Sequence, residues 1–194
     1  MENNIVFSKN NFRIRKAEVE DINTIYKLIT GIAEYEKMLD DVVNTPEMIK
    51  EWIFDKKTAE TYIGEEDGIP VGFILFFHNY STFVGRAGIY IEDLFVIKEK
   101  RGKGYGKLLL SFAAHTAKER NCGRMEWTCL NWNKPSLDFY ESIGAEKMTE
   151  WITHRLSGEN LSSLANYLKI IRLKRACIKF CVNRLISIFH LKPV

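Results

Sequence analysis

The sequence predicts a mixed α/β fold, and three patterns carry that expectation. Short stretches that alternate apolar and polar residues, such as Phe12-Arg13-Ile14-Arg15-Lys16, read as strands. Beyond Asp21, the residues Ile22, Ile25, Tyr26, Leu28, Ile29, Ile32 and Ala33 recur at helical spacing. Between an apolar, β-rich segment (Ile89 to Val96) and a helical one (Lys107 to Ala114) stands a glycine-spaced basic loop, Arg101-Gly102-Lys103-Gly104-Tyr105-Gly106.

Taken in order, Phe12–Lys16 reads as a first strand, and Asp21 as the cap of the first helix. Thr45-Pro46-Glu47 opens a second helix with cap and proline in their preferred places. Two strands near Thr61–Glu66 and Val71–His78 are joined by the turn Glu66-Asp67-Gly68-Ile69-Pro70. A long loop over Asn79–Gly88 precedes the strand that carries Glu92. After the glycine loop and its helix come a strand at Arg124–Leu130 and a short helix from Pro135 to Ile143, which Gly144 terminates. Trp151–Leu156 reads as a last strand.

A chain of 194 residues, 46% of them hydrophobic, is long enough to bury one core. The formal charge of +3 hides a split. From Tyr167 onward there are seven basic residues (Lys169, Arg172, Lys174, Arg175, Lys179, Arg184, Lys192) and no Asp or Glu. Of the chain's 28 basic residues, 21 therefore remain in positions 1–166 against all 25 acidic ones, a balance of −4. A mildly acidic body suits a small cationic substrate better than nucleic acid. The start Met1-Glu2-Asn3-Asn4 lacks a basic region with an apolar run behind it, so no signal peptide is expected. Four unpatterned cysteines (Cys122, Cys129, Cys177, Cys181) fit a reducing cytoplasm, and no metal site is expected of them.

Strand, glycine-spaced loop and helix together can hold a phosphate. Glycines let backbone N–H groups turn toward an anion, and a helix start adds unpaired donors and a positive dipole end. The spacing is neither the dinucleotide fingerprint nor a P-loop, because the third glycine comes early and no Gly-Lys-Ser/Thr follows.

In this setting the loop resembles the Arg/Gln-x-x-Gly-x-Gly segment that grips the pyrophosphate of acetyl-CoA in GNAT N-acetyltransferases. The resemblance extends to Tyr35-Glu36, to Tyr90-Ile91-Glu92-Asp93-Leu94-Phe95-Val96, and to Asn131-Trp132-Asn133-Lys134-Pro135-Ser136 through Phe139-Tyr140 to Gly144-Ala145. It is strongest to the diamine and thialysine branch related to spermidine/spermine N-acetyltransferase. It implies one GNAT domain over residues 12–164, with a central, mostly antiparallel sheet flanked by helices, and a homodimer.

The resemblance also implies roles. The backbone of Leu94, Phe95 and Val96 would pair with the pantetheine arm and polarise the thioester oxygen. Arg101, Gly102, Lys103, Gly104, Tyr105, Gly106 and Lys107 would surround the diphosphate, with the loop backbone ranked above the lysines, Lys134 included. Asn133 would bond the arm, with Pro135 and Ser136 beside it. Tyr140, seven residues after Asn133 and so on the same helix face, would protonate the departing thiolate. Tyr35, Glu36, Glu92, Asp93 and Trp127 would receive the acceptor amine.

An amine of pKa about 10.4 arrives protonated, so a base is needed. Glu92 and Asp93 are neighbours on a strand and should point to opposite faces. The resemblance assigns Glu92 to the substrate side as the group that draws off the proton; pairing with an Arg or Lys is the other role open to it. The aromatic run Phe76-Phe77-His78-Asn79-Tyr80-Ser81-Thr82-Phe83 would wall the acceptor pocket. Ser81-Thr82 stand where polyamine enzymes carry an acidic residue, which favours short diamines or lysine-like amines over spermine. Trp127 and Trp151 would line the same cavity or belong to the core.

Residues 167–194 lie outside the resemblance. Ile170, Cys177, Ile178, Cys181, Leu185 and Ile188 share one helical face, with Arg172, Arg175 and Lys179 roughly opposite. Such a basic amphipathic helix could lie on an anionic membrane or against a partner, or be an extension without function. Two other activities compete with acetylation of a small amine. One is acetylation of a protein lysine or N-terminal amine, against which the Asn79–Gly88 loop argues. The other is acyl-CoA sensing without catalysis, which would need neither Glu92 nor Tyr140.

Overall fold

In the computed structural model, which describes residues 4–169 and 171, six strands form one sheet in sequence order. They are β1 (Ile5–Lys9), β2 (Phe12–Lys16), β3 (Glu60–Glu66), β4 (Ile69–Ser81), β5 (Arg86–Val96) and β6 (Met125–Trp127). Neighbours are antiparallel except β5 and β6, which run parallel over Ile89–Ile91. The helices are α1 (Ile22–Glu36), α2 (Pro46–Ile49), α3 (Tyr105–Glu119) and α4 (Lys134–Ser142). Contacts divide the chain after Leu137 into two units.

Alternation sorts the sheet's side chains in the first unit. Ile63 packs with Ala17, Ile25 of α1 and Ile49 of α2, while Phe73, Leu75 and Phe95 pack with Leu28 of α1. On the opposite face Tyr62 meets Phe112 of α3 at 4.5 Å, and Phe12 stacks on Tyr105 at 4.2 Å. Burying each of these large apolar side chains contributes about 1.5–3 kcal/mol. α1 ends where Lys37 turns left-handed (φ 60°) and the N–H of Met38 donates to Ala33 O at 2.9 Å. That closure sets Tyr35 and Glu36 in the last turn.

Several local expectations hold. Thr45 Oγ1 accepts from Met48 N–H at 3.3 Å, with Pro46 as the first helical residue. Asp67 (φ 55°) and Gly68 (φ 80°) form the two-residue turn between β3 and β4. Other expectations need correction. A strand, β1, precedes Phe12–Lys16. Asp21 occupies the N-cap position of α1 but makes no side-chain capping bond; its carboxylate reaches back to Glu18 N–H and to Arg15. α2 is one turn long and widens into a π-helical turn over Lys50–Asp55.

The expected Asn79–Gly88 loop is a hairpin. β4 runs on to Ser81, β5 begins at Arg86, and Gly85 N–H closes the turn on Ser81 O at 2.8 Å. The aromatic run therefore alternates instead of forming a wall: Phe76 is buried, while Tyr80 is 64% and Phe83 92% exposed. The same correction removes the loop as an argument against a peptide groove.

In the second unit, Gly144 N–H donates to Glu141 O at 3.0 Å and closes α4, as expected. The strand expected at Trp151–Leu156 is absent. A strand exists only by pairing, and among the described residues this segment makes no ladder. Trp151 is 69% exposed, so it is not a core residue. Residues 158–169 are helical. The expected basic amphipathic helix falls, apart from residues 167–169 and 171, outside the described residues. Among the described residues no helix is long and apolar enough to cross a membrane.

Candidate active site

Strand β5 carries the centre of the site, and its register with β4 decides how. Leu75 pairs with Asp93 and Phe76 with Ile91, so Glu92 is an extra residue in a bulge. Asp93 shares its face with Leu75 and Phe95, the face that packs on α1. Ile91 shares the other face with Phe76. Ile91 and Asp93 thus fall on opposite faces, and the bulge breaks the two-residue period at Glu92, so alternation alone does not fix the direction of the Glu92 side chain. β6 pairs with β5 only through Trp127 opposite Ile91. From the bulge onward the β6-side edge of β5 has no strand partner among the described residues, and Leu94-Phe95-Val96 lie along that edge.

Glu92 is exposed and Asp93 half-buried. Among the described residues no donor or cation pairs with the carboxylates of Glu36, Glu92 or Asp93. Burial, and then the negative charges of Glu92 and Glu36, push the Asp93 carboxyl up to about 7. Burial also raises Glu36, and it raises the Cys129 thiol, which feels Glu36 as well. The three carboxylates form one negative region. Among the described residues, though, no cluster of three or more metal-ligating side chains could hold an ion.

Tyr35 links α1 to Asn133 and Arg101. Its hydroxyl donates to Oδ1 of buried Asn133 at 2.9 Å. The Arg101 guanidinium lies 4.2 Å from its ring centre and 5.5 Å from that of Phe95, and donates from Nε to Val96 O at 2.9 Å. Trp132 packs on Tyr35 at 5.9 Å. α1, β5, the glycine loop and the start of α4 thus meet at one tyrosine. A cavity of about 890 Å³ opens beside it, lined by Thr24, Lys27, Gly31, Tyr35, Phe95 and Arg101 among others.

The glycine loop fits an anionic ligand. Gly102 (φ 79°) and Gly104 (φ 83°) are left-handed, and a Cβ at either would meet nothing within 4 Å, so open space adjoins the backbone. Gly104 is the N-cap of α3, whose first N–H groups have no partner within the helix. Lys107 is exposed; Lys103 is bound to Glu66 at 2.7 Å, and Tyr105 is buried with its hydroxyl on the same carboxylate.

Pro135 is exposed, and Ser136 and Trp127 are half-buried. Tyr140 is half-buried in the second unit, its ring 5.4 Å from that of Phe139. Sequence reasoning missed the bulge, the Tyr35–Asn133 bond and the role of Glu66. Each depends on pairing between distant segments. The only local signal was the pair of acidic residues Glu65-Glu66 closing β3, which does not mark one from the other.

Comparisons with known proteins bear on the family and the fold. A model of the acetyltransferase (GNAT) family matches residues 20–145. Thialysine N-epsilon-acetyltransferase of Bos taurus is 35% identical over 164 residues, covering 78% of this chain and 96% of that protein. L-ornithine N5-acetyltransferase NATA1 of Arabidopsis thaliana is 43% identical over 98 residues; that match spans 50% of this chain and only 43% of the relative. Among solved structures, an integron cassette protein from the mobile metagenome of V. cholerae superposes with a TM-score of 0.68. It is 24% identical and covers 81% of this chain and 99% of its own, a likeness of fold.

Proposed function

Because the chain belongs to the acetyltransferase (GNAT) family and is an N-acetyltransferase, we propose that it moves the acetyl group of acetyl-CoA directly onto a primary amine of a small cationic substrate, a diamine or a lysine-like amino acid. The observation that carries this reading is the acidic region of Glu36, Glu92 and Asp93, which has no cation partner among the described residues, beside the open edge of β5. A partly buried carboxylate such as Asp93 is costly to ionise unless a cation completes it. The relatives named for thialysine and L-ornithine acetylation support an amine of that size.

In this reading acetyl-CoA supplies the activated acyl group as a thioester. The glycine-loop amides hold its diphosphate, and the β5 edge aligns its amide-bearing arm. Tyr35 orients Asn133, leaving the Asn133 amide N–H groups free to donate. The acidic region binds the ammonium and takes one proton from it, so that the nitrogen lone pair can attack the carbonyl carbon. A β5 N–H stabilises the oxyanion that develops. As the C–S bond breaks, Tyr140 protonates the thiolate and recovers a proton from the new amide nitrogen. The net products are amide, free thiol and one proton.

With Asp93 pushed up to about 7, the region cannot accept a proton while Asp93 holds one. The expected kcat/KM therefore rises with pH through about 7, and Asp93→Asn should remove that acid limb. A limb that persists in the Asn variant would assign it elsewhere.

Glu36→Gln should raise the amine KM by about tenfold with a smaller effect on kcat, because one charged contact is lost from ground and transition states alike. CoA release across a panel of amines tests the reading as a whole. Diamines and lysine-like amines should exceed spermine in kcat/KM, and turnover of peptides alone would overturn it.

A further inference from the structure

Glu66, the last residue of β3, is only 6% exposed. Its Oε1 accepts from Lys103 Nζ at 2.7 Å and from the Tyr105 hydroxyl, and its Oε2 accepts from Lys100 Nζ. These three donors bracket Gly102 and Gly104. Tyr105 is also clamped by its stack on Phe12. The Lys100, Lys103 and Tyr105 bonds hold the Glu66 carboxyl down at about 2, so it is ionised throughout the working range. A buried anion directly behind an anion-binding loop opposes the ligand's charge. It also ties the loop at two points and occupies both of its nearest ammonium groups.

We propose that Glu66 is a positioning residue for acyl-CoA: it fixes the glycine loop and withholds Lys100 and Lys103, so that backbone amides rather than lysine side chains meet the diphosphate. The inference rests on the acetyl-transfer reading and assigns a role to a residue outside the resemblance. Fixed amide dipoles at contact distance are screened by salt far less than mobile surface charges. The loop's grip should then depend only weakly on ionic strength. Freed lysines would add attraction at low salt, while the untied loop would lose its preset geometry.

The test is calorimetric titration of the full-length protein with dephospho-CoA, which carries the diphosphate and lacks the 3′-phosphate, from low to high salt. Wild-type Kd should change by less than about threefold across the Debye lengths covered. Glu66→Gln should bind with similar Kd at low salt and about tenfold more weakly at high salt, a loss of about 1.4 kcal/mol. A steep wild-type salt dependence overturns the proposal even if the variant does not fold. So does a folded Glu66→Gln protein with lower Tm but unchanged Kd at every salt concentration, the result of a merely structural role. A wild-type protein that binds no CoA derivative would instead overturn the acetyl-transfer reading.

Discussion

Tyr140→Phe should lower kcat by roughly 10²–10⁴ while leaving the Kd for acetyl-CoA within about twofold. The substitution keeps the ring and its packing on Phe139 and removes only a proton donor. The departing thiolate would then leave unprotonated or wait for solvent. Steady-state CoA release and a binding titration on the same preparation separate the two effects. A near-wild-type kcat would show that Tyr140 packs rather than reacts.

Gly104→Val should weaken acetyl-CoA binding by about tenfold or more and leave the secondary structure unchanged. Gly104 holds φ at 83° and a Cβ there meets nothing within 4 Å, so the main cost of a β-branched residue is in the backbone. A non-glycine residue in that region costs about 1–2 kcal/mol, more when β-branched. The loop relieves the strain by rotating the peptides on either side, which are the groups assigned to the diphosphate. KM for acetyl-CoA should rise, with kcat at saturation changing less. A folded variant with wild-type cofactor affinity would remove the loop amides from the site.

The elements most legible in the sequence are those set by neighbours along the chain. The Asp67-Gly68 turn and the Thr45-Pro46 helix start are chosen within a few residues, and both appear as expected. α1 and α3 follow from apolar spacing over four turns. What the sequence hides is set by pairing. The bulge at Glu92 exists because β4 offers one residue fewer over that stretch, and nothing inside Ile89–Val96 marks it. The Trp151–Leu156 segment, with its aromatic and β-branched residues, reads as a strand but makes no ladder among the described residues. Tyr35 and Asn133 are 98 positions apart, so the contact between them follows only from the folded chain. Lys103 looked like a free cation until Glu66 arrived from a different hairpin.

The early parting of β5 and β6 carries a consequence for selectivity and solubility together. An open strand edge ordinarily invites another polypeptide to add itself, which leads to aggregation. Here the edge is only a few residues long and begins inside the sheet, beside the last rung of a parallel pair. In the proposed reading, an intruding strand would find too few rungs there to form a full ladder, whereas a slender, flexible molecule with peptide-like groups spaced along it would need only those few. The same edge would then disfavour an added protein strand and receive a chain-like small molecule.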